Sequence, residues 1–197
     1  MDHIVEKSRP SKYRYLKRFT RDWRTRLYME FSVCGGYLVT LTYDNDHLPD
    51  PEHEGEQSKK DFVDFIKRVR EHIRYHNITI HGRFSYYAVT EHGGEGTHRL
   101  HIHTFLFGIK SLILLKALVN DKWKNGFINI GTYADMCSMG YMTKYIHKRV
   151  LKDNKEWRLM SNGIGDSFMT DRIIEYYRAH PSRRFYLRGK INNSPRI

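Results

Sequence analysis

Apolar and polar residues alternate in four short segments of the chain, which is the period-two pattern of half-buried β-strands. The segments are residues 37–43, 83–91, 99–108 and 126–131. The second and third are separated by HGGEGTH, a glycine-rich connection suited to a hairpin loop. The pattern therefore predicts a mainly antiparallel sheet.

Apolar residues at helical spacing predict helices between and around these strands. One helix follows a polar, acidic loop and carries its apolar residues over 59–76, and others are predicted over 111–123, over 133–150 and near 170–179. The basic segment 1–30 repeats an apolar residue every four positions, at Tyr15, Phe19, Trp23 and Leu27. That spacing favours an amphipathic helix, whose arginines and lysines either lie against phosphates or form a solvated face. We expect one α+β domain over residues 1–197, with a catalytic core over 36–150 and a C-terminal loop, helix and basic tail over 151–197.

Composition narrows the choice of partner. Thirty-four Lys and Arg residues against 22 Asp and Glu residues give a formal charge of +12, which favours a polyanion and nucleic acid before membrane. The two cysteines are far apart and offer neither a metal knuckle nor a disulfide framework. The N-terminal residues lack the apolar segment of a signal peptide, so the expected location is the cytoplasm, with no membrane association.

Candidate chemistry begins in HRLHIHTFLFG, residues 98–108, where His101 and His103 flank a single isoleucine. In a strand both rings point to one face, with roots about 6 to 7 Å apart. A lone strand histidine is usually structural, but two on one face repel each other when charged, and when neutral they need partners for their nitrogens. One metal ion, zinc or magnesium, would satisfy both.

Two imidazoles make an incomplete metal site, so a third ligand is required. Glu91 ends the preceding strand and can come level with the histidines across the hairpin. His92, Glu95 and His98 are the alternatives in and beside the connecting loop. Glu91 is favoured because a strand end holds a ligand more rigidly than a glycine-rich loop does.

A second constellation lies in GYMTKYIHKRV, residues 140–150. On a helix, a spacing of about 100° per residue gathers four polar residues within one arc, while Met139, Met142, Ile146 and Val150 form the opposite, core-facing side. The four are Tyr141, Lys144, Tyr145 and Lys148. Each tyrosine hydroxyl thus has an ammonium on its own face, able to stabilise a phenolate or a phosphate under attack. Buried structural tyrosine is the alternative interpretation.

Taken in order, the strand YLVTLTYDNDHLP, the histidine pair and the helix YMTKYIHKRV resemble the three motifs of HUH endonucleases that start rolling-circle replication. More closely, they are similar to replication initiators of small single-stranded DNA phages of the microvirus group, gokushoviruses especially, which carry two tyrosines on one helix. The segment RLMSNGIGDSF resembles a stretch that follows the tyrosine helix in those initiators. The resemblance covers residues 36–168 and implies the HUH nuclease fold, a ferredoxin-like or RRM-like antiparallel sheet of about five strands flanked by helices.

The resemblance also implies a mechanism. Mg²⁺ or Mn²⁺ on His101, His103 and Glu91 would polarise the scissile phosphate of single-stranded DNA at a replication origin. Tyr141 or Tyr145 would attack, leaving a 5′-phosphotyrosine, and the second tyrosine would cut the regenerated origin. The sequence has no GxxxxGK[ST] loop, so a host helicase is the implied partner.

Further residues are candidates for contacts with DNA. Thr40, Thr42, Tyr43 and Arg99 are expected to line the site. The aromatic residues Tyr86, Tyr87 and Trp123 are candidates for base stacking, although strand aromatics are more often core.

Three other functional interpretations stay open at this stage. One is an HUH transposase or relaxase, which shares the chemistry. Another is a non-catalytic RRM-like nucleic-acid-binding module, which explains the charge but gives no reason for the two histidines. The third is a histidine-dependent phosphoesterase, which needs a further histidine that the chain does not supply at position 105.

Overall fold

The computed structural model describes residues 23–24, 26–93, 99–133 and 157–165. The first helix, α1, is helical at residues 23, 24 and 26–34. The elements that follow are β1 (Gly36–Tyr43), α2 (Glu54–Tyr75), β2 (Ser85–His92), β3 (Leu100–Phe107), α3 (Leu112–Lys122), β4 (Gly126–Tyr133) and β5 (Arg158–Met160).

The strands form one five-stranded sheet in the order β4-β1-β3-β2-β5, and the neighbouring strands pair antiparallel. From β1 to β4 the chain runs βαββαβ with strand order 4-1-3-2, which is the ferredoxin-like arrangement. Topology therefore places β1 and β3 at the centre. The prediction of an α+β fold built on an antiparallel sheet flanked by helices is confirmed.

One face of the sheet is buried under α2 and α3. Leu41, Ile102 and Leu106 point to this side because they alternate with the polar residues of β1 and β3. From the helices, the packed side chains include Phe62, Phe65, Val69, Leu115, Leu118 and Val119. This is the main hydrophobic core.

The opposite face is divided between packing and chemistry. At one end, Leu27 and Cys34 of α1 pack against Tyr87, Phe105 and Phe107. α1 ends at Gly35, whose φ of 63° suits glycine and whose N–H donates to the carbonyl of Phe31 at 2.8 Å. α1 thus packs on the end of the face where β1 begins and β3 ends. The two histidines of β3 lie toward the other end.

A buried carboxylate ties α1 to the sheet. Glu30 is fully buried and accepts two hydrogen bonds from Arg83, at 2.7 and 3.0 Å, and one from the backbone N–H of Gly165 at 2.8 Å. The hydroxyl of Ser85 also donates to it. Arg83 in turn donates to the carbonyls of Asn162 and Gly163. One ion pair therefore joins α1, the start of β2 and the turn that follows β5.

Several predicted boundaries are wrong, each for a physical reason. α2 begins at Glu54 rather than near residue 59, because its first turn is polar and acidic and complements the helix dipole without apolar periodicity. β5 lies in a segment that the sequence predicts as loop; the strand is three residues long and forms through its pairing with β2. Tyr133 ends β4 instead of beginning a helix. α1 runs to residue 34, beyond the expected limit of 30.

Other predictions lie outside the described residues. These are the tyrosine helix from residue 134 onward, the helix near 170–179, the basic tail, and the N-terminal helix before residue 23. Of its apolar stripe, Leu27 is buried and Trp23 packs against the core beneath α1. Within the described ranges, no helix is both long enough and apolar enough for a membrane span.

Candidate metal and DNA site

The strand register brings the predicted site residues of the sheet together. His101 pairs with Thr42 of β1 on one side and with Glu91 of β2 on the other, and His103 pairs with Thr40. Because paired residues of antiparallel strands point to the same face, all five side chains share the face partly covered by α1. The expected level placement of Glu91 is observed, and the two imidazole centroids are 6.2 Å apart.

Each histidine is held by a threonine of β1. The Nδ1 atom of His103 is 3.0 Å from Oγ1 of Thr40, and the Nδ1 atom of His101 is 2.9 Å from Oγ1 of Thr42. When Nδ1 carries the proton, it donates to the threonine oxygen and the lone pair of Nε2 stays open. A hydrogen bond on the second nitrogen is the usual way in which proteins orient a metal-binding histidine.

Glu91 lies diagonally across from His103. One of its carboxylate oxygens, Oε2, is 3.4 Å from Nε2 of His103, and both side chains are mostly buried, with 17% and 12% exposed. On the other histidine, Nε2 of His101 faces Gly93, where an added Cβ would come within 3.0 Å of it. The glycine at 93 therefore leaves room beside that nitrogen, a role that sequence analysis missed.

The surroundings favour neutral imidazoles. Burial lowers the pKa of both His101 and His103 below the ordinary histidine value, and the Glu91 carboxylate only opposes that shift. Neutral imidazole is the form that binds metal ions, because the proton and the metal compete for the same lone pair. Both residues thus offer a nitrogen donor near neutral pH.

The donor set fits a divalent ion. Two ligands that are each about 2.1 Å from one ion are about 3.0 to 3.4 Å apart, and the Glu91–His103 distance of 3.4 Å falls at the upper end of that range. The described residues contain no group of three or more His, Cys, Asp or Glu side chains already gathered as a metal cage. What the strands provide is two oriented nitrogens and one carboxylate on a common face.

The alternative third ligands behave differently. Nε2 of His92 is 2.8 Å from Oε2 of Glu54 at the beginning of α2, so His92 is engaged with the helix. Glu95 and His98 lie outside the described residues, as do Tyr141, Lys144, Tyr145 and Lys148.

The residues expected to contact DNA fall into three groups. Thr40 and Thr42 lie on the site's face, where their hydroxyls hold the histidines. Arg99 donates to the carbonyl of Tyr43 and to the side chain of Asn45, and so connects the start of β3 to the loop after β1. Tyr43 lies on the opposite face, fully buried, and its hydroxyl donates to Asp61 at 3.0 Å. Burial raises the pKa of Tyr43, which belongs to the core and not to a DNA contact.

The aromatic residues expected to stack on bases are placed in the core or beside it. Tyr87 is on the same face as the histidines, but it is buried beneath α1. Trp123 is buried edge-on against Tyr43 and donates its indole N–H to the carbonyl of Thr42. Tyr86 packs against the main core and lies beneath the guanidinium of Arg70, on the helical side of the sheet. None of these three rings is therefore open to a base beside the histidines.

Comparison with known proteins decides the family. A family model for replication-associated proteins of the ORF2 type matches residues 36–150. The chain belongs to this family. The match begins at β1, includes the two histidines and Glu91, and ends with the predicted tyrosine helix. Searches of the curated proteins and of the solved structures found no match. Membership of the ORF2-type replication-associated family supports a role in the initiation of replication.

Proposed function

We propose that this member of the ORF2-type family is a rolling-circle replication initiator that nicks and rejoins single-stranded DNA at a specific origin through a 5′-phosphotyrosine. The observation that carries the proposal is the pair of histidines whose Nδ1 atoms are held by Thr40 and Thr42 opposite Glu91. A non-catalytic binding sheet has no use for that arrangement.

The chain's own residues divide the work. His101, His103 and Glu91 would hold Mg²⁺ or Mn²⁺, which, when bound, neutralises charge on a phosphate. Thr40 and Thr42 keep the two Nε2 atoms on the DNA side, and the burial that lowers both histidine pKa values keeps them deprotonated there. The strands thereby fix the position of the scissile phosphate.

The nucleophile would come from the segment after β4. The Tyr141 or Tyr145 hydroxyl loses its proton, its oxygen bonds to phosphorus, and the bond from phosphorus to the 3′ oxygen breaks. Lys144 and Lys148 stabilise the phenolate. Because a phosphodiester is exchanged for another phosphodiester, the freed 3′ hydroxyl can reverse the step and close a circle without ATP.

Two tyrosines would permit two cuts in one cycle, as in the microvirus-type initiators that the sequence resembles. One tyrosine would hold the first 5′ end while the other cuts the regenerated origin. Strand separation would then depend on a host helicase.

The test is covalent capture. The protein is incubated with Mn²⁺ and a pool of single-stranded oligonucleotides that have a randomised central segment, and SDS-resistant adducts are analysed by mass spectrometry. We expect a 5′-phosphotyrosine on Tyr141 or Tyr145, lost in the double Tyr→Phe protein. Tyr75→Phe is the matched control, since that ring is 81% exposed on the far side of the sheet.

Two outcomes would contradict the proposal. If no adduct forms although the protein binds Mn²⁺, the sheet is a binding module. If the Tyr141→Phe, Tyr145→Phe protein retains full cleavage, a histidine nucleophile replaces the tyrosines. Adduct formation on a hairpin-bearing transposon end in preference to other members of the pool would favour a transposase.

A further inference from the structure

Phe127 is a large apolar side chain left in solvent beside the site. The strand GFINIG alternates, with Ile128 and Ile130 packed against the main core. Phe127 points the other way and is 64% exposed. A benzyl group in water has no packing role, so its exposure calls for an explanation by binding.

The register places Phe127 on the histidine face. It pairs with Thr42 across β1 and β4, and the Thr42 hydroxyl is bonded to His101. Phe127 and His101 are therefore in one row across the sheet, two strands apart, or about 10 Å. Asn129 pairs with Thr40 in the neighbouring row and is also exposed.

The backbone under Phe127 is firmly held. Gly126 has a φ of +144°, and a Cβ there would come within 2.4 Å of the carbonyl oxygen of Thr42. The N–H of Asp44 donates to the carbonyl of Asn125 at 3.0 Å. Only glycine permits this close approach, which fixes the start of β4 against the end of β1. A ring on such a base is preorganised for contact.

The other side of the same face carries a cation. His103 is followed across the sheet by Val89 of β2 and then by Arg158 of β5, so Arg158 is also two strands from the histidines. Its guanidinium lies 5.2 Å from the centroid of the Trp23 ring. Going across the strands, the face thus presents an aromatic ring, the histidine pair and a positive charge.

We propose that Phe127 is a base-stacking residue that holds the base of a nucleotide adjacent to the scissile phosphate, with the DNA strand crossing the sheet from β4 toward β5. Every base has a π-face, so an exposed ring binds single-stranded DNA whatever its sequence. Asn129 offers a donor and an acceptor to a base edge beside the ring. The inference rests on the proposed function, because it assumes single-stranded DNA on this face.

The experiment measures binding without cleavage. The probe is oligo(dT) of about 16 nucleotides with a single 2-aminopurine at successive positions, titrated into the His101→Ala, His103→Ala protein without metal. We expect Phe127→Ala to weaken binding about 5- to 140-fold, the range for loss of one stacked base. We also expect quenching of 2-aminopurine at one position, lost with the ring.

Matched variants separate stacking from bulk. Phe127→Trp is expected to retain affinity, while Phe127→Leu, apolar but without a π-face, is expected to behave like Phe127→Ala. Tyr75→Ala removes a more exposed ring from the helical side and is expected to change nothing. All variants are compared by thermal melting, and because the ring is exposed we expect no change in midpoint.

Each outcome is decisive for one claim. Failure of every variant, including the parent, to bind the probe would overturn the proposed function itself. Binding that is equal in Phe127→Ala and Tyr75→Ala, or restored by leucine, would overturn the stacking role and leave the function standing. If Phe127→Ala instead changes the sedimentation behaviour without affecting DNA affinity, the ring is a contact between copies of this chain along β4.

Discussion

At the scale of single residues, the threonines of β1 decide which histidine nitrogens face the open side of the sheet. Thr40 and Thr42 engage Nδ1 of His103 and His101 at 3.0 and 2.9 Å. Each hydroxyl fixes both the rotation of its ring and the nitrogen that carries the proton, because a hydrogen bond at Nδ1 leaves the lone pair on Nε2. The threonines are therefore positioning residues for a metal site.

Replacing both threonines by valine tests this role. Valine keeps the branched shape and removes the hydroxyl, so we expect Mn²⁺ affinity to fall about 10- to 100-fold while the fold is retained. Isothermal titration calorimetry with Mn²⁺ measures the loss. Serine at both positions restores the hydroxyl and is expected to restore most of the affinity; unchanged affinity in the valine protein would refute the positioning role.

The lowered histidine pKa values also predict a pH dependence of stability. Because burial lowers the pKa of His101 and His103 in the folded state, the unfolded chain binds more protons than the folded one below the ordinary value of about 6.5. The free energy of unfolding therefore rises with pH across that window and is lost as the pH falls below about 6.5.

Urea unfolding of the metal-free protein at about pH 7.5 and about pH 5.5 measures this effect. The His101→Gln, His103→Gln protein is expected to lose less stability on acidification than the parent. His81→Gln, which removes an exposed histidine, is expected to lose as much as the parent. An equal loss in all three proteins would show that other groups control acid stability.

The same residues show how far a sequence can predict a site. Alternation placed His101 and His103 on one face and Glu91 beside them, since register follows from a short hairpin. Alternation applied to YLVTLTY also separates Thr40 and Thr42 from Tyr43, which shares its face with Leu41. Grouping Tyr43 with the threonines ignored that period. The threonine–histidine bonds themselves join positions that are 63 and 59 residues apart, which no local pattern reports.

At the scale of elements, the face that bears the histidines is shaped by what packs next to it. α1 occupies one end of that face, and the Glu30–Arg83 pair joins α1 to β2 and to the turn after β5. The hydrophobic periods predicted α2, α3 and four strands. They could not predict β5 or this ion pair, because both are set by contacts between segments distant in sequence.

Removing the carboxylate should loosen these elements together. In Glu30→Ala, the guanidinium of Arg83 and the N–H of Gly165 lose their acceptor, so we expect a loss of about 3 to 5 kcal/mol in the free energy of unfolding. Chemical denaturation measures it, with Glu52→Ala, an exposed carboxylate, as the control. Hydrogen exchange is expected to rise in residues 26–34 and 157–165 first. A loss below that of the control would mean that the pair is energetically neutral.

At the scale of the whole molecule, binding and chemistry are assigned to different residues. The excess of 34 Lys and Arg over 22 Asp and Glu attracts a polyanion over the whole surface, whereas His101, His103 and Glu91 occupy one small area of one face. Binding driven by phosphate contacts falls with salt in proportion to the number of contacts made. The two functions should therefore respond separately to mutation.

The His101→Ala, His103→Ala protein tests that separation. We expect adduct formation to be abolished, while the affinity for single-stranded DNA and its salt dependence stay as in the parent, because neutral imidazoles release no counterions. Arg158→Gln is the reciprocal variant: loss of one phosphate contact is expected to reduce the slope of log K against log salt by about 0.7. Fluorescence anisotropy at several salt concentrations gives the slopes, and gel analysis of adducts gives the chemistry. If the histidine variant lost the salt dependence, or if Arg158→Gln lost cleavage at saturating DNA with an unchanged slope, the division between cationic binding and histidine chemistry would be wrong.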